Sequence, residues 1–213
     1  MRLNIADIRR DYKKKKLNVK VVNQDPFLQF EQWLNEALEI EDDPTAMILG
    51  TAGQDGQPST RTVLLKGLEE EKLVFYTNYK SNKAVQIEQN PKVSVTFFWP
   101  KLERQVHFEG TIEKTPGDVS DEYFESRPRK SRVGARISPQ SQVISNRNSL
   151  KTAFLKEASK FIGKKVPRPP HWGGYFIYPS YIEFWQGRAS RLHDRIRYMK
   201  KEDDLWKIER LAP

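Results

Sequence analysis

Ile182-Glu183-Phe184-Trp185-Gln186-Gly187, followed closely by Arg191-Leu192-His193-Asp194-Arg195, is the part of the chain that says most about its structure. The apolar residues of the first segment alternate and Trp185 strongly favours β structure, so this segment predicts a strand. A loop after Gly187 and a second extended pattern at 196–199 predict a strand pair. We expect the two arginines and the histidine of the second segment to share one face at the start of the second strand, because they are spaced two residues apart. Such a row suits a planar, anionic small molecule.

The bulk properties limit the class of protein. A chain of 213 residues is long enough to bury a substantial core in one domain. It contains no cysteine, which excludes disulfides, thiolate metal sites and cysteine nucleophiles. His107, His171 and His193 are too far apart in the sequence to predict a metal site. No apolar run approaches the ~20 residues of a membrane span and the N-terminus lacks a signal-peptide core, so we expect a cytoplasmic protein that does not contact membranes.

The formal net charge of +9 has three interpretations. The basic run from Lys13 to Lys16 could be a nucleic-acid arm, which would indicate a binding protein rather than an enzyme. We prefer a solvated tail, because the other basic residues are spread along the chain and no nucleic-acid motif accompanies them. Part of the charge could instead attract phosphorylated small molecules.

The pattern along the chain predicts a flexible N-terminal arm over residues 1–24 and a single domain over residues 25–213. Asp25-Pro26 starts a helix, with the aspartate as N-cap and the proline in the first turn. Apolar residues at three- and four-residue spacing predict the core-facing stripe of this helix, which consists of Phe27, Phe30, Leu34 and Leu38.

After Thr45 the periodicity is mainly that of strands. Extended segments are predicted at 46–51, 59–66, 72–77, 93–99 and 104–113, with a hairpin turn at 53–56. A short helix is predicted from a Ser81 cap to Gln89, and 118–162 is helical with breaks at Pro128 and Pro139. Hairpins with helices between them predict a mainly β, α+β protein, built as an antiparallel barrel with helical excursions. A Rossmann fold is excluded because no glycine-rich strand-to-helix turn is present.

Basic residues flank the apolar run Val63-Leu64-Leu65. Arg61 and Lys66 are five residues apart, so a regular strand would place them on opposite faces and they would not bind the same atoms. Lys83 lies in the helix turn after Tyr76-Thr77, and a helix N-terminus with a lysine and hydroxyls is suited to an anion. On the residues alone, solvated strand-edge charges and a capped surface helix are the alternatives.

Tyr123, Arg127 and Ser131 recur every four residues, as on one face of a helix. Pro128 disfavours helical geometry at the preceding residue, so we expect one helix to end near Ser126 and another to start at Pro128. Ser131 would then lie in the first turn of the second helix. A phenol, a guanidinium and a hydroxyl that converge there would form a phosphate site; the alternative is a core tyrosine and a surface arginine.

Five further segments stand out in the sequence. They are Arg61-Thr62-Val63-Leu64-Leu65-Lys66, Phe75-Tyr76-Thr77-Asn78, Glu103-Arg104-Gln105-Val106, Ser126-Arg127-Pro128 and the terminal Trp206-Lys207-Ile208-Glu209-Arg210-Leu211-Ala212-Pro213. Together with the stretch quoted first, they resemble the pyridoxamine 5′-phosphate oxidase family over about residues 43–213. The resemblance implies an FMN-binding split β-barrel that works as a homodimer with FMN at the interface.

The resemblance also implies which residues bind FMN. Arg61 would contact the flavin phosphate, Gln105 the polar edge of the flavin ring, and Gln140-Ser141 would come from the second subunit. Asn82 stands where the family usually has an arginine, so a charge-assisted bond worth roughly 1.5–3 kcal/mol would be missing and FMN would be held less tightly. The implied FMN contacts are Arg61, Thr62, Val63, Leu64, Leu65, Lys66, Tyr76, Thr77, Asn82, Lys83, Gln105, Gln140, Ser141, Trp185 and Arg195.

The substrate residues follow from the same resemblance. Arg191 and His193 would cover the pyridine ring of the substrate, and they are the catalytic candidates. The segment 9–12 would fold over the site from the N-terminal arm. The implied substrate contacts are Lys66, Tyr123, Arg127, Ser131, Arg191, His193, Arg9 and Tyr12, and the first four of these would hold the substrate phosphate.

The function that the resemblance implies is an FMN-dependent oxidase. It would convert pyridoxamine 5′-phosphate, and pyridoxine 5′-phosphate, to pyridoxal 5′-phosphate with O2 as acceptor, releasing hydrogen peroxide and, from the amine, ammonia. Because cofactors of this kind carry the redox chemistry, the protein would act by binding and orientation. The alternatives are a split-barrel flavin reductase or oxidoreductase with another substrate and, from a different class, a basic nucleic-acid-binding protein.

Overall fold

The computed structural model of this chain describes Tyr12 and residues 14–213. The strands are β1 Ala46–Ala52, β2 Pro58–Leu64, β3 Gly67–Glu69, β4 Lys72–Asn78, β5 Lys92–Trp99, β6 Arg104–Lys114, β7 Trp172–Gln186, β8 Asp194–Lys200 and β9 Trp206–Leu211. The helices are α1 Pro26–Ile40, α2 Asn82–Gln89, α3 Gly117–Ser126, α4 Arg129–Ile137 and α5 Arg147–Lys160.

In the described part of the chain, all nine strands belong to one sheet. Seven of them follow the order β2-β1-β5-β6-β7-β4-β3, while β8 pairs with β7 and β9 pairs with β8. The pairs β3–β4, β4–β7, β7–β8 and β8–β9 are antiparallel. The predicted mainly β, α+β class, with helices inserted between antiparallel strands, is confirmed.

The helix breaks and the hairpin turn are where the sequence predicts them. Gly56 adopts a positive φ of 73° in the predicted turn between β1 and β2, a conformation that costs glycine little. Pro128 separates α3 from α4, and Pro139 follows the end of α4. Strand β2 ends at Leu64, so Lys66 lies beyond the strand, and the prediction of opposite strand faces for Arg61 and Lys66 does not apply.

Helix α1 begins as predicted, because the Asp25 carboxylate accepts hydrogen bonds from the Phe27 and Leu28 amides at 2.7 and 3.4 Å. Its buried face differs from the predicted stripe. Leu38 is 53% exposed, whereas Ala37 is fully buried. A helix has 3.6 residues per turn, so its apolar face drifts, and here the face continues through Trp33 and Ala37.

The predicted row of Arg191, His193 and Arg195 on one strand face is wrong. Strand β8 begins at Asp194, and Arg191 ends a short 3-10 turn, Ala189–Arg191. Ser190 and Arg191 have positive φ values of 55° and 60°. Such values turn the backbone out of the extended geometry on which a two-residue spacing depends.

The described residues pack into two compact units. The first unit contains the described residues up to Ile48, then Val95–Glu109 and Pro179–Pro213. Its core is aromatic: the Phe30 ring lies 5.0 Å from each of Phe97 and Phe108.

The first described residues of the chain pack against the rest of the first unit. Leu17 and Val22 are buried. The Leu17 amide donates to Asp194 Oδ2 at 3.1 Å, and Tyr198 Oη donates to the Asn23 carbonyl at 2.7 Å. The division into an arm at 1–24 and one domain at 25–213 stays a prediction.

The second unit contains Leu49–Ser94 and Gly110–Tyr178. Its centre is the β4–β7 pair, in which Tyr76 lies opposite Gly174 and Asn78 opposite Trp172. Helix α2 follows directly from β4, and α3, α4 and α5 fill the long connection between β6 and β7. This topology brings the end of β4, the start of α2 and the start of β7 close together, and the candidate site lies there.

No helix in the described residues combines the length and the apolar composition needed to cross a membrane.

Candidate functional site

A cavity of about 340 Å³ opens in the second unit between the end of β4, the N-terminus of α2 and the start of β7. Ten of the residues that line it were singled out from the sequence. They are Thr62, Val63, Leu64, Lys66, Tyr76, Thr77, Lys83, Tyr123, Arg127 and Gln140. The other two lining residues are Asn78 and Trp172. Residues from the 62–66, 76–83, 123–127 and 140 segments, which are far apart in sequence, therefore meet at one cavity.

The deepest cation of this cavity is Lys83, which is only 7% exposed. Its ammonium group donates to the Thr77 and Ser81 hydroxyls, both at 3.3 Å, and no carboxylate pairs with it among the described residues. Burial, together with the nearby charge of Arg61, lowers the pKa of Lys83. A buried ammonium with only neutral partners, in the first turn of a helix, is an electrostatic environment that favours an anion.

Ser81 does not cap α2 through its side chain, contrary to the prediction. It occupies the N-cap position with extended backbone angles but makes no side-chain capping bond. Its hydroxyl instead accepts a hydrogen bond from the Lys83 ammonium group. The backbone amides of the first turn of α2 are consequently not satisfied by Ser81.

Arg61 lies on β2 and is not one of the residues that line this cavity. Its guanidinium donates to the Leu49 carbonyl at 3.1 Å and to the hydroxyls of Thr51 and Ser59 at 2.6 and 2.7 Å. Burial lowers its pKa. All of these partners are neutral, so within the described residues the charges of Arg61 and Lys83 both lack a carboxylate counter-ion.

The loop after α4 closes one side of the cavity. The Thr77 hydroxyl and the Asn78 amide donate to Gln140 Oε1 at 3.2 and 3.3 Å, and the Asn82 amide donates to the Ser141 hydroxyl at 3.2 Å. The backbone of Ser141 in this loop has a positive φ of 71°. These contacts place Gln140 and Ser141 beside the cavity of their own chain. The expectation that they contact FMN from a second subunit stays a prediction.

An adjoining cavity of about 370 Å³ contains Arg127, Ser131 and Trp172. Arg127 is the residue after α3, and Ser131 lies in the first turn of α4, as the break at Pro128 predicts. The Arg127 Nη1 group is buried without a hydrogen-bond partner among the described residues. Its pKa is lowered by burial, an effect partly offset by Tyr123.

Leu65, Lys66 and Asn82 differ in how far they are exposed. Leu65 is buried at 5% exposure, and Lys66 is exposed at the cavity wall. The Asn82 side chain is exposed at the start of α2 and contributes no charge.

Two observations on the described residues test whether a phosphorylated cofactor fits this site. Lys83 and Arg61 are positively charged without carboxylate partners. Arg127 has an unsatisfied buried N–H group. Phosphate oxygens accept from such donors with charge-assisted bonds, so the donor set fits phosphate groups.

A second group of predicted residues lies in the first unit. The Trp185 and His193 ring centroids are 4.6 Å apart, and Tyr12 meets them edge-on at 5.7 and 5.8 Å. The Tyr12 ring packs against the backbone of Gly187, where a Cβ atom would lie 2.7 Å from it. Tyr12, Trp185 and His193 are therefore brought together, whereas Arg9 lies outside the described residues.

His193 is held in one tautomer. The Arg188 backbone amide donates to its Nδ1 at 3.1 Å, so the ring proton is on Nε2 when the ring is neutral. Burial, and then the charge of Arg191, lower the pKa of His193. His193 is thus a neutral hydrogen-bond donor through Nε2 near pH 7.

The hydrogen bonds of Arg195 are made mainly within the protein. It forms a two-pronged pair with the Glu183 carboxylate at 2.7 and 2.9 Å and donates to the Ala212 carbonyl at 3.0 Å. Burial alone would raise the pKa of Glu183, but hydrogen bonds from Arg195 and Tyr181 outweigh it and the pKa is lowered. Gln105 is half-buried on β6, on the same strand face as His107.

Sequence reasoning missed Trp172 and Asn78. Asn78 ends β4, and its side chain donates to the Ser138 carbonyl at 3.1 Å. Trp172 begins β7 and is 6% exposed. The only sequence signal for Trp172 is its place between a proline-rich connector and two glycines, which does not distinguish it from a core tryptophan.

Comparison with family models gives two matches that together cover most of the chain. Residues 34–160 match the model described as pyridoxamine 5′-phosphate oxidase. Residues 172–213 match the model described as the pyridoxine 5′-phosphate oxidase C-terminal dimerisation region.

Individual proteins agree with these matches. The chain is 54% identical over 211 residues to the pyridoxine/pyridoxamine 5′-phosphate oxidase of Bacteroides thetaiotaomicron, and the alignment covers 99% of each chain. Among solved structures, PhzG from Burkholderia lata 383, in complex with tetrahydrophenazine-1-carboxylic acid, has a TM-score of 0.89 at 24% identity, covering 96% of this chain and 100% of that one. A pyridoxamine 5′-phosphate oxidase-related, FMN-binding protein from Nostoc punctiforme has a TM-score of 0.73 at 17% identity, covering 90% and 100%. At these identities the structural matches show the fold alone.

Proposed function

This chain belongs to the pyridoxamine 5′-phosphate oxidase family, and from this premise we propose that it oxidises pyridoxamine 5′-phosphate and pyridoxine 5′-phosphate to pyridoxal 5′-phosphate. It is an enzyme of that family with the split-barrel fold, and FMN is its cofactor. It is a homodimer, as the match to a dimerisation region indicates. The family acts on a small molecule, so the substrate of this chain is a small molecule.

The proposed reaction balances with O2 as the final acceptor. Pyridoxamine 5′-phosphate, O2 and water give pyridoxal 5′-phosphate, ammonia and hydrogen peroxide; the alcohol gives the same aldehyde and hydrogen peroxide without ammonia. FMN, when bound, would supply the redox chemistry that joins oxidation at the 4′ carbon of the substrate to reduction of O2. The protein supplies binding and orientation.

The observation that carries this proposal is the set of cations without counter-ions around one cavity. Lys83 and Arg61 would bind the FMN phosphate at the N-terminus of α2. Gln140, Thr77 and the Ser141 hydroxyl would complete that side. The remaining residues of the 61–66 segment, with Tyr76 and Asn82, would contact other parts of the cofactor.

The substrate phosphate would lie at the second group of donors. Arg127 offers its unpaired Nη1 group, and Ser131 offers its hydroxyl from the first turn of α4. Lys66 and Tyr123 line the same cavity as Arg127. A phosphate held by these groups would fix the substrate without any of them taking part in bond breaking.

Residues of the first unit would contact the rings. Arg191 and His193 would cover the substrate ring, with His193 donating from Nε2, and Arg9 and Tyr12 would cover it from the N-terminal side. Gln105, Trp185 and Arg195 are proposed as contacts to the flavin. These roles rest on the family resemblance together with the contacts among Tyr12, Trp185 and His193.

An absorbance spectrum of the purified protein tests the proposal. We expect a flavin spectrum that is bleached when pyridoxamine 5′-phosphate is added without oxygen and that returns, with hydrogen peroxide, when air is admitted. A flavin that stays oxidised with this substrate but is bleached by a different reductant would indicate a related flavin oxidoreductase instead. Protein that takes up no FMN would refute the proposal altogether.

Steady-state kinetics test the substrate-phosphate assignment. We expect Lys66→Ala and Arg127→Ala to raise KM for pyridoxamine 5′-phosphate by about tenfold or more and to change kcat much less, because they remove phosphate donors. Lys165→Ala, at an exposed residue that pairs only loosely with Glu125 at 3.6 Å, is the control. An unchanged KM in the first two variants would reject the assignment.

A further inference from the structure

Trp172 has no role in the proposed reaction, yet its position is tightly defined. It lies opposite Asn78 in the β4–β7 ladder. Its amide donates to the Pro169 carbonyl at 3.1 Å, and its own carbonyl accepts from Arg168 Nη1 at 2.8 Å. The indole is therefore carried on a backbone anchored on both sides, and it lines both cavities.

The indole belongs to a stack of parallel rings. The Tyr76 and Tyr123 rings are 3.8 Å apart with planes 12° from parallel, and the Tyr123 and Trp172 rings are 6.2 Å apart with planes 6° from parallel. Phe124 packs edge-on against Trp172 at 5.0 Å. These contacts limit rotation of the indole, so its face has a defined orientation.

That face holds the guanidinium of Arg127. The guanidinium carbon of Arg127 lies 4.4 Å from the Trp172 ring centroid, closer than its 5.6 Å distance to the Phe124 ring. Among the described residues no carboxylate forms an ion pair with Arg127, and its Nη1 group is buried without a partner. A carboxylate would neutralise the cation, whereas an aromatic face attracts it and leaves its N–H groups available.

We propose that Trp172 is a positioning residue that holds the Arg127 guanidinium against its indole face, so that the unpaired Nη1 group is directed at the phosphate of the substrate. This inference rests on the proposed function, because it takes that phosphate as the ligand. Trp172 itself acts through Arg127 and not on the reacting atoms.

A purely structural role for Trp172 makes a different prediction. If the indole only fills the core between β7 and α3, its loss would weaken binding of every ligand and would add to the effect of losing Arg127. If it acts through Arg127, its loss affects only ligands with a phosphate, and it has no further effect once Arg127 is absent.

The experiment is a double-mutant cycle with Trp172→Leu and Arg127→Ala. Binding is measured with 4-deoxypyridoxine 5′-phosphate, which cannot be oxidised at the 4′ carbon, and with 4-deoxypyridoxine, which lacks the phosphate. We expect Trp172→Leu to weaken binding of the phosphorylated probe by about 5- to 30-fold, the range of a buried cation–π contact, and to leave the other probe within about twofold. In the Arg127→Ala background the same change should have less than a twofold effect.

Two further variants keep the outcome decisive. Trp172→Phe retains an aromatic face and should stay within about threefold of the wild type; if Trp172→Leu does not fold, Trp172→Met takes its place. Trp206→Leu removes a tryptophan that packs on Phe27 in the other unit, and it should not change the preference for the phosphorylated probe. In turnover, Trp172→Leu should raise KM for pyridoxamine 5′-phosphate more than it lowers kcat.

Equal losses for both probes, or additive effects of Trp172→Leu and Arg127→Ala, would overturn the inference. Wild-type protein that binds the phosphorylated probe but does not oxidise pyridoxamine 5′-phosphate would refute the proposed function while the cycle still decides the role of Trp172. Wild-type protein that does not bind the phosphorylated probe would refute both.

Discussion

Burial of the Lys83 ammonium group costs free energy, and a bound anion would offset this cost. The group is buried between two hydroxyls, and its pKa is lowered by burial and then by Arg61. The unfolded chain therefore binds a proton at this lysine more readily than the folded chain. The free energy of unfolding consequently rises with pH in the window between the lowered pKa and the ordinary lysine pKa of 10.5, and below this window the full penalty applies.

We expect Lys83→Met to weaken FMN binding by about 10- to 150-fold, which corresponds to a charge-assisted bond of roughly 1.5–3 kcal/mol. The same change should not destabilise the FMN-free protein at pH 7, because it removes a buried, unpaired charge. Flavin titration and urea unfolding measure the two effects. Lys92→Met, at an exposed lysine at the start of β5, should change neither.

His193 is the second residue whose titration depends on its neighbours. The Arg188 amide donates to Nδ1, and burial followed by the Arg191 charge lower the pKa of the ring. A lowered histidine pKa means that the folded state disfavours the proton, so this group's contribution to stability is lost as the pH falls from 6.5 through the folded-state pKa. Tyr12 and Trp185 are the aromatic groups that face it.

We predict that Arg191→Ala raises the pKa of His193 while FMN stays bound and turnover falls. An NMR titration of the imidazole nitrogens measures the pKa and should show the Nε2–H tautomer at neutral pH. Arg197→Ala, which removes an arginine paired with Glu209 on the neighbouring strand, is the matched control. A His193 pKa that is unchanged in Arg191→Ala would contradict the prediction.

Among the secondary-structure elements, the start of β7 determines how closely its neighbours approach. A Cβ atom at Gly174 would lie 2.7 Å from Tyr76 Cε1 and 2.8 Å from two atoms of the Thr115 side chain. Tyr76 is the ring that stacks on Tyr123 at 3.8 Å. A glycine at this position therefore allows the stacked rings to lie against the strand.

We expect Gly174→Ala to destabilise the protein by about 1–3 kcal/mol, the range typical of overpacking, and to weaken substrate binding by displacing Tyr76. Gly134→Ala is the matched control, because nothing lies within 4 Å of its Cβ position in α4. That change should leave stability unchanged or raise it by up to about 1 kcal/mol. Urea unfolding of the two variants gives the comparison, and equal stabilities would contradict it.

For the whole molecule, charge and association matter most. The net charge of +9 is not matched by carboxylates at the cavity, so a phosphorylated ligand should stabilise the folded chain by mass action. The match of residues 172–213 to a dimerisation region also indicates that the folded protein is a homodimer. Stability and assembly are therefore expected to depend on ligand and on protein concentration.

We predict that FMN at about 100 times its Kd stabilises the protein by about 2.7 kcal/mol, and that riboflavin, which has the same ring system without a phosphate, stabilises it far less at equal concentration. Thermal unfolding with each compound measures the difference. Sedimentation should give a mass about twice the 25.0 kDa of one chain. A riboflavin shift as large as the FMN shift would argue against a phosphate-centred site.

Local patterns in the sequence were sufficient to predict many of the elements, although not where β8 starts or where β2 ends. The Asp25 cap, the turn glycine at 56 and the breaks at Pro128 and Pro139 each depend on the conformational preferences of a few adjacent residues. The resemblance then identified most of the cavity lining, because family motifs mark residues such as Lys83 and Arg127 directly.

Which residues of distant segments touch was decided by the tertiary structure alone. The pairing of Arg127 with Trp172, the burial of Ala37 in place of Leu38, and the capture of Arg195 by Glu183 follow from strand register and helix rotation. Periodicity says which face of an element is apolar, but it does not say which residue of another element lies opposite. That depends on packing the whole chain at once, since each close contact is set by many others.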